Sequence, residues 1–497
     1  MQSVSAVKIN EVYATLDSDE LFILKELVDY FTYEVPGAKF MPAYKNKIWD
    51  GKIRLFNPVN RKIYVGLLSQ VKSFCERNDY GFEYFNEDNK KEFTEENLKE
   101  LAEYVSPKSG GKSLTYRDYQ LEAVQTAINK DRCLLLSPTA SGKSLIIYTL
   151  IRFYLLHPEI KDKKILIVVP TTSLVSQMYK DFEDYGYDVE KNCHMIYQGQ
   201  SKNTEKRIVI STWQSIYKES KEYFDQFGAV IGDECHLFKA NSLSKLMEKL
   251  VNCKYRFGTT GTLDGTKTHK LVLTGLFGDI KKVTTTKTLI DNQTLSKFKI
   301  ECLVLNYEEN DCKTIKGLTY QQEIEWIILN EQRNKFIVNL SNALKGNTLV
   351  LFNYVEKHGK PLHNAMKEKC KDKNVFYVSG ETGVDDREKI REIAEKTDDA
   401  IIVASYGTFS TGINIKNLHN VVFASPSKSK IRNLQSIGRG LRKGDKKQTA
   451  VLYDIVDNLK YKSYTNFAMR HFYERINIYN EESFDFKINE IRLYGRK

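Results

Sequence analysis

Cysteine is scarce and never clustered. The eight cysteines in 497 residues stand singly at positions 75, 133, 193, 235, 253, 302, 312 and 370, and no two form a CxxC pair. Zinc sites and disulfide frameworks therefore have little support, and a reducing compartment is the plain reading. Long apolar runs are missing too. Stretches such as Ile165–Val169 reach about five residues, where roughly 20 would be needed to cross a bilayer. The opening MQSVSAVKIN lacks the apolar core of a signal peptide. No internal repeat or low-complexity tract is visible. These absences make a cytoplasmic location the expectation.

What is present is the composition of a globular chain. Hydrophobic residues make up 41% and charged residues 28%, and at roughly 100–200 residues per domain the length suits two to four domains. The net charge of +11 fits a polyanionic partner without requiring one. It is unevenly spread: residues 1–113 hold 16 Lys+Arg against 18 Asp+Glu, a net of −2, which leaves +13 for the rest. Within the first part, residues 38–62 are the exception, with seven basic residues and one acidic interleaved with Phe40, Tyr44, Trp49 and Phe56. That patch reads either as a nucleic-acid contact (Lys45, Lys47, Trp49, Lys52, Arg54) or as a core tryptophan beside a solvated face.

Short apolar runs alternate with longer helical patterns. One set is Cys133–Leu136, Ile165–Val169, Ile208–Ile210 and Ala229–Ile231. A second is Leu349–Phe352, Val375–Val378, Ile401–Ala404, Val421–Ala424 and Ala450–Tyr453. Runs of this length suit strands buried on both faces, as in a parallel sheet joined by helical crossovers. The expected organisation is α/β: an N-terminal α+β domain over 1–105, a Gly/Ser/Pro linker over 106–113, and two lobes over 114–295 and 296–497.

After the first of those strands comes Ser137-Pro138-Thr139-Ala140-Ser141-Gly142-Lys143-Ser144, followed by an apolar helix. Strand, loop and helix in this order make a phosphate-binding loop, with Ser137 where glycine is usual. Its backbone N–H groups and the helix N-terminus would face phosphate, with Thr139, Ser141 and Gly142 shaping the cradle. Lys143 would meet the β and γ phosphates and Ser144 a Mg²⁺ ion. Further on, the run Ala229–Gly232 leads into Asp233-Glu234-Cys235-His236. A carboxylate at the end of a buried strand can complete the Mg²⁺ shell, which assigns Asp233, and its neighbour Glu234 can deprotonate the attacking water. In the last part, Gln435-Ser436-Ile437-Gly438-Arg439-Gly440-Leu441-Arg442 places two arginines three apart, on one face if helical. They are either γ-phosphate ligands or a solvated basic face.

These segments, in this order, resemble the superfamily 2 helicases of the DExH type. The other motifs of that family are matched as well. Arg117-Asp118-Tyr119-Gln120 resembles the Q-motif, implying that Gln120 reads adenine beside Arg117. Val169–Gln177 is similar to motif Ia, Ser211–Gln214 to motif Ic, and Thr260-Gly261-Thr262 stands where the family has its coupling motif, with His236 beside it. Ser405–Asn414 resembles motif V. A closer likeness covers nearly the whole chain. YKNKIWDGKIRL at 44–55, FGTTGTLDG at 257–265 and VASYGTFSTGINIKNLHNVV at 403–422 resemble the UvsW-type helicases of tailed phages.

The resemblance implies two tandem RecA-like parallel-sheet lobes. It implies ATP and Mg²⁺ held between Gln120, Lys143, Ser144 and Asp233 on the first lobe and Gly412, Asn414, Gln435, Arg439 and Arg442 on the second. It implies that Pro170, Thr171, Thr212, Asn353 and Thr408 grip a DNA strand without reading its sequence. Enzymes of this type act on forks, Holliday junctions, D-loops and R-loops in phage recombination, repair and replication. A monomer in the host cytoplasm is expected, with a single-strand-binding protein or recombinase as possible partner. The residues themselves leave open an RNA helicase, a translocase that does not unwind, such as a restriction-enzyme motor, and a passive annealing protein with a degenerate ATP site.

Overall fold

The computed structural model describes residues 2–35, 37–85, 92–138, 140–197, 199–237, 240–263, 267–292, 297–408, 417–425, 449–482 and 484–494. The chain divides into two compact units, one of residues 1–137 and 141–284, the other of 138–140 and 285–497. No helix among the described residues is long and apolar enough to cross a membrane, and all eight cysteines are buried thiols.

The first unit begins with alternating strands. In β1 (Ser3–Lys8) and β2 (Tyr13–Asp17) every second residue turns inward, Val4 and Ala6 on one strand and Ala14 and Leu16 on the other, the period-2 pattern of a half-covered sheet. A short ribbon follows, β3 (Thr32–Glu34) against β4 (Lys52–Arg54). Then come β5 (Phe56–Asn57), β6 (Lys62–Tyr64) and β7 (Gly81–Phe85). The sheet order is β5-β6-β2-β1-β7, antiparallel except for the parallel β1–β7 pair. The helices Leu21–Tyr30 and Leu68–Arg77 supply Ile23, Leu27, Val71 and Cys75 to its core.

That core runs on without a break into the apolar face of the next sheet. The contact is close because it is made by glycines. A Cβ on Gly66 would lie 2.2 Å from the Thr274 carbonyl oxygen and 2.5 Å from that of Gly275. Around it, Tyr64 Oη donates to Glu248 Oε1 at 2.6 Å, Ser69 Oγ to Asp279 Oδ1 at 2.6 Å and the Glu11 N–H to the Val251 carbonyl at 3.0 Å. The Gly/Ser stretch at 106–113 is a hairpin, β8 (Lys108–Ser109) with β9 (Lys112–Ser113). Its central Gly110 and Gly111 both have positive φ, the backbone that a two-residue turn requires. Asp184 holds it, accepting from Gly110 N at 2.8 Å and Ser109 Oγ at 2.9 Å. The sequence reads there as a linker because Gly and Ser serve tight turns and flexible joints alike.

The main sheet of this unit has β10 (Arg132–Leu136), β11 (Lys164–Val169), β12 (Cys193–Ile196), β13 (Ile208–Thr212), β14 (Phe227–Gly232), β15 (Tyr255–Thr260) and β16 (Ile280–Lys282) in the order β12-β13-β11-β14-β15-β10-β16, all parallel. The middle strands are buried on both faces, as helical crossovers demand. The second unit repeats the plan. Its strands β17 (Lys297–Asn306), β18 (Thr348–Phe352), β19 (Asn374–Val378), β20 (Ala400–Ser405), β21 (Asn420–Phe423), β22 (Thr449–Asn458) and β23 (Phe486–Arg492) lie in the order β19-β20-β18-β21-β22-β17-β23, again parallel. These are the two RecA-like lobes, with a small α+β domain ahead of the first. The second lobe buries charge as ion pairs: Arg333 Nε and Nη2 reach the two Asp457 oxygens at 2.6 and 3.1 Å, and Arg475 Nε reaches Asp454 Oδ2 at 2.8 Å. Uncompensated, such groups would be very costly there.

Candidate active site

In an open parallel sheet, ligands bind beyond the carboxyl ends of the strands. The order of the first lobe's sheet brings the sequence motifs to that edge together. β10 ends at the phosphate loop, β14 at Asp233, β15 at Thr260, β11 at Pro170 and β13 at Thr212. β15 lies between β10 and β14, so residues far apart in sequence become neighbours.

The loop has the form phosphate binding requires. Gly142, at φ 84°, turns the chain into the helix Lys143–Leu156. A Cβ there would meet Gln120 Nε2 at 2.2 Å, so glycine is needed on both counts. Ser137 Oγ and Ser141 Oγ bond each other at 2.6 Å, and Ser137 N donates to the Thr260 carbonyl at 2.8 Å. The serine in the first position thus ties the loop internally and to β15. Gln120 is buried. Its Oε1 accepts from Arg117 N at 2.9 Å and its Nε2 donates to the Ser141 carbonyl at 2.9 Å. Tyr119 Oη donates to the same carbonyl at 3.1 Å and takes a bond from Arg117 Nη1 at 2.9 Å. In this structure one end of the Gln120 amide braces the loop and the other is held by the start of its own helix.

Lys143 Nζ lies 3.0 Å from Glu234 Oε1. Glu234 has φ 49°, a left-handed conformation costly for a residue with a side chain and frequent at functional sites. Asp233 is buried. Its carboxyl is pushed up to about 6, first by burial and then by the Glu234 charge, against the pull of Lys143 and a hydrogen bond from Thr259. That bond, Thr259 Oγ1 to Asp233 Oδ1 at 2.6 Å, is one the sequence reading missed. His236 Nδ1 lies 2.6 Å from Thr260 Oγ1 and 3.3 Å from Glu234 Oε2. Because the Thr260 hydroxyl donates to the Thr262 carbonyl at 2.8 Å, it accepts from His236, which places the imidazole proton on Nδ1. His236 therefore joins the acidic motif to Thr260 and Thr262. Asp233 and Ser144 are oxygen donors, the chemistry Mg²⁺ prefers, with further positions left to phosphates and water.

Among the residues expected to contact a DNA strand, Thr171 caps the helix Thr172–Asp184. The Pro170 carbonyl accepts from Gln214 Nε2 at 3.2 Å, and Thr212 Oγ1 pairs with Ser215 Oγ at 2.8 Å. The Gln214–Pro170 bond ties motif Ic to motif Ia, and the other two hold each turn locally. In the second lobe, Asn353 follows β18 and takes a backbone bond from its N–H to Ser425 Oγ at 3.1 Å, while Thr408 follows β20 and accepts from Ser405 Oγ at 2.8 Å. Thr139, Gly412, Asn414, Gln435, Arg439 and Arg442 lie outside the described residues.

Three family models match the chain: DNA helicase UvsW, N-terminal, over 7–85; type III restriction enzyme, res subunit, over 113–265; and helicase conserved C-terminal domain over 331–444. The ATP-dependent DNA helicase uvsW of Enterobacteria phage T4 is 38% identical over 488 residues, spanning 94% of this chain and 95% of the relative. The chain belongs to the UvsW family of superfamily 2 helicases. The crystal structure of T4 UvsW aligns over 99% of this chain and 100% of that one at 35% identity, with a TM-score of 0.53. A DNA 3'-5' translocase, XPB2, of Sulfurisphaera tokodaii is 24% identical over 68% of this chain and 81% of its own length. ATP is the nucleotide that UvsW-family membership implies.

The family also accounts for the first domain. Its Lys45, Lys47 and Lys52 are exposed, and Arg54 is paired with Asp50 at 2.5 Å. Trp49 is half-buried, with its indole N–H donating to the Lys52 carbonyl at 2.8 Å. So Trp49 stiffens the basic segment and is not a core residue.

Proposed function

We propose that this chain is an ATP-driven DNA helicase that acts on branched DNA, forks, Holliday junctions, D-loops and R-loops, in phage recombination, repair and replication. The observation that carries the reading is the meeting of Lys143, Glu234 and buried Asp233 at one sheet edge, with His236 bonded to Thr260. Lys143 would hold the β and γ phosphates, Ser144 and Asp233 the Mg²⁺, and Glu234 would take the proton of the attacking water. Bound Mg²⁺ would offset the charge that develops on the phosphates. Arg439 and Arg442 enter on the strength of their motif, as the guanidinium groups that stabilise the transition state. The His236–Thr260–Thr262 chain would relay the state of the site to the strand-gripping loops. Pro170, Thr171, Thr212, Asn353 and Thr408 would contact the DNA backbone, and Lys45, Lys47, Trp49, Lys52 and Arg54 a duplex arm. The name of the archaeal relative supports 3′-to-5′ movement, and a monomer suffices for this scheme.

The test sets a fork, a Holliday junction and a plain duplex side by side, with DNA-stimulated ATPase measured in parallel. Wild type should open the branched substrates in preference, and Arg442→Ala should lose DNA-stimulated hydrolysis more than DNA binding. ATP hydrolysis indifferent to DNA would refute the motor reading. Unwinding only when the tracked strand is RNA would make it an RNA helicase.

A further inference from the structure

The segment between β3 and β4 carries two of the most exposed large apolar side chains among the described residues. Phe40 is 82% exposed and Ile48 79%. Both stand on a held frame. The 3-10 turn Ala38–Phe40 runs into the one-turn helix Pro42–Lys45. The N–H groups of Ile48 and Trp49 both bond the Ala43 carbonyl, at 2.9 and 3.2 Å, and Val35 N–H bonds the Gly51 carbonyl at 2.8 Å. Gly51 admits the Tyr44 ring so closely that a Cβ would meet it at 3.0 Å. What sets this pair apart is that both are held exposed on a fixed backbone within a basic segment.

The charge around them says what kind of partner would suit them. Lys39, Lys45 and Lys47 are exposed between and beside them, and residues 38–49 contain no carboxylate. The first acid, Asp50, is taken up by Arg54. A partner that offers both negative charge and flat apolar faces is a nucleic acid with unpaired bases: phosphates for the ammonium groups, base faces for the aromatic and aliphatic ones. A fully paired duplex offers base faces only at its ends.

We infer that Phe40 and Ile48 pack against unpaired bases where a duplex arm opens, while Lys39, Lys45 and Lys47 hold the flanking phosphates. This rests on the reading of the basic segment as a DNA contact and adds to it what distinguishes a branch from a plain duplex. The domain that carries these residues is docked on the first lobe through Gly66, so the contact is held at a constant place on that lobe.

The test uses the full chain and two DNAs of equal length, a fork with 2-aminopurine in its first unpaired position and a blunt duplex whose ends are closed by hairpins. The double variant Phe40→Ala/Ile48→Ala should bind the fork roughly tenfold or more weakly and lose the change in 2-aminopurine fluorescence. It should bind the closed duplex as wild type does, with an unchanged salt slope. Phe40→Tyr should keep the wild-type signal. Lys45→Ala/Lys47→Ala should instead lower the salt slope on both DNAs. Wild-type fork binding by the double variant, with a lowered slope in the lysine variant, overturns this inference alone. An unchanged slope in the lysine variant removes the DNA contact itself and the inference with it. Equal loss on both DNAs, or binding of phosphatidylglycerol vesicles by wild type but not by the double variant, also overturns it.

Discussion

The ion pair between Lys143 and Glu234 makes Glu234→Gln more than a test of catalysis. The ammonium proposed to meet the phosphates is bonded to the carboxylate proposed as the base at 3.0 Å, with side chains 14% and 21% exposed. On the proposed roles, ATP would have to displace Glu234 from Lys143. At that distance and an effective dielectric near 20 the bare attraction is roughly 5 kcal/mol. Solvent reaches both groups and their desolvation offsets much of this, so a net of about 1–2 kcal/mol is the reasonable scale. Glu234→Gln removes the charge and keeps the shape. It should therefore bind ATP about 5- to 30-fold more tightly while hydrolysing it roughly 10²–10⁴ times more slowly. Titration with a fluorescent ATP analogue measures the first effect and single-turnover rapid quench the second. Slow hydrolysis with unchanged or weaker binding would show that the Lys143–Glu234 pair does not oppose ATP.

Three other substitutions follow from contacts seen only in the fold. Thr259→Val removes the 2.6 Å bond to Asp233; the Mg²⁺ concentration for half-maximal ATPase should rise roughly fivefold or more, and Thr259→Ser should restore it. His358 is buried, with its pKa lowered to about 3 by burial and then by the Arg333 charge. Unfolded chain binds a proton below its ordinary value near 6.5, while the folded protein resists to about 3. Stability is therefore full above pH 6.5 and falls on acidification, by about 2 kcal/mol at pH 5; in His358→Gln the difference in urea stability between pH 7 and pH 5 should shrink by about that amount. Gly66→Val drives a side chain into the Thr274 and Gly275 carbonyls, so limited proteolysis should release residues 1–105 from the variant faster than from wild type.

The parts of the site written as local motifs were legible in the sequence. The phosphate loop, Asp233 with Glu234, and the central strands of both lobes all follow from short-range spacing and apolar runs, because each is built from residues close in sequence. Partners set by strand order were not legible. Thr259 finds Asp233 only because β14 lies beside β15, with Gly232 opposite Gly258, and no periodicity encodes that adjacency. β15 itself was hidden by Arg256, which reads as a surface residue. It is buried with Nη1 and Nη2 on the carbonyls of Glu11, Leu250 and Met247. Gln120 was legible as a member of the site, but its bond to the phosphate loop was not, since a motif names a residue and not the atom it touches.

The same adjacency joins the first domain to the site mechanically. A Cβ on Gly232 would meet the Phe277 ring at 2.9 Å, and one on Gly258 would meet it at 3.0 Å. Phe277 thus sits over the last residue of β14 and the middle of β15, immediately before Asp233 and Thr259. It ends the helix Lys267–Phe277, and the same helix receives Gly66 against its Thr274 and Gly275 carbonyls. One helix is therefore clamped by glycine contacts on two sides, by the first domain on one and by the catalytic strands on the other. Both contacts are tight, glycine against backbone carbonyls on one side and glycine against the buried Phe277 ring on the other, so neither surface slides freely past the helix. If DNA displaces the first domain, the movement is either resisted by this helix or passed through Phe277 to the strands that lead into Asp233 and Thr259. Either way the domain acts as part of the first lobe's body and not as a tethered accessory.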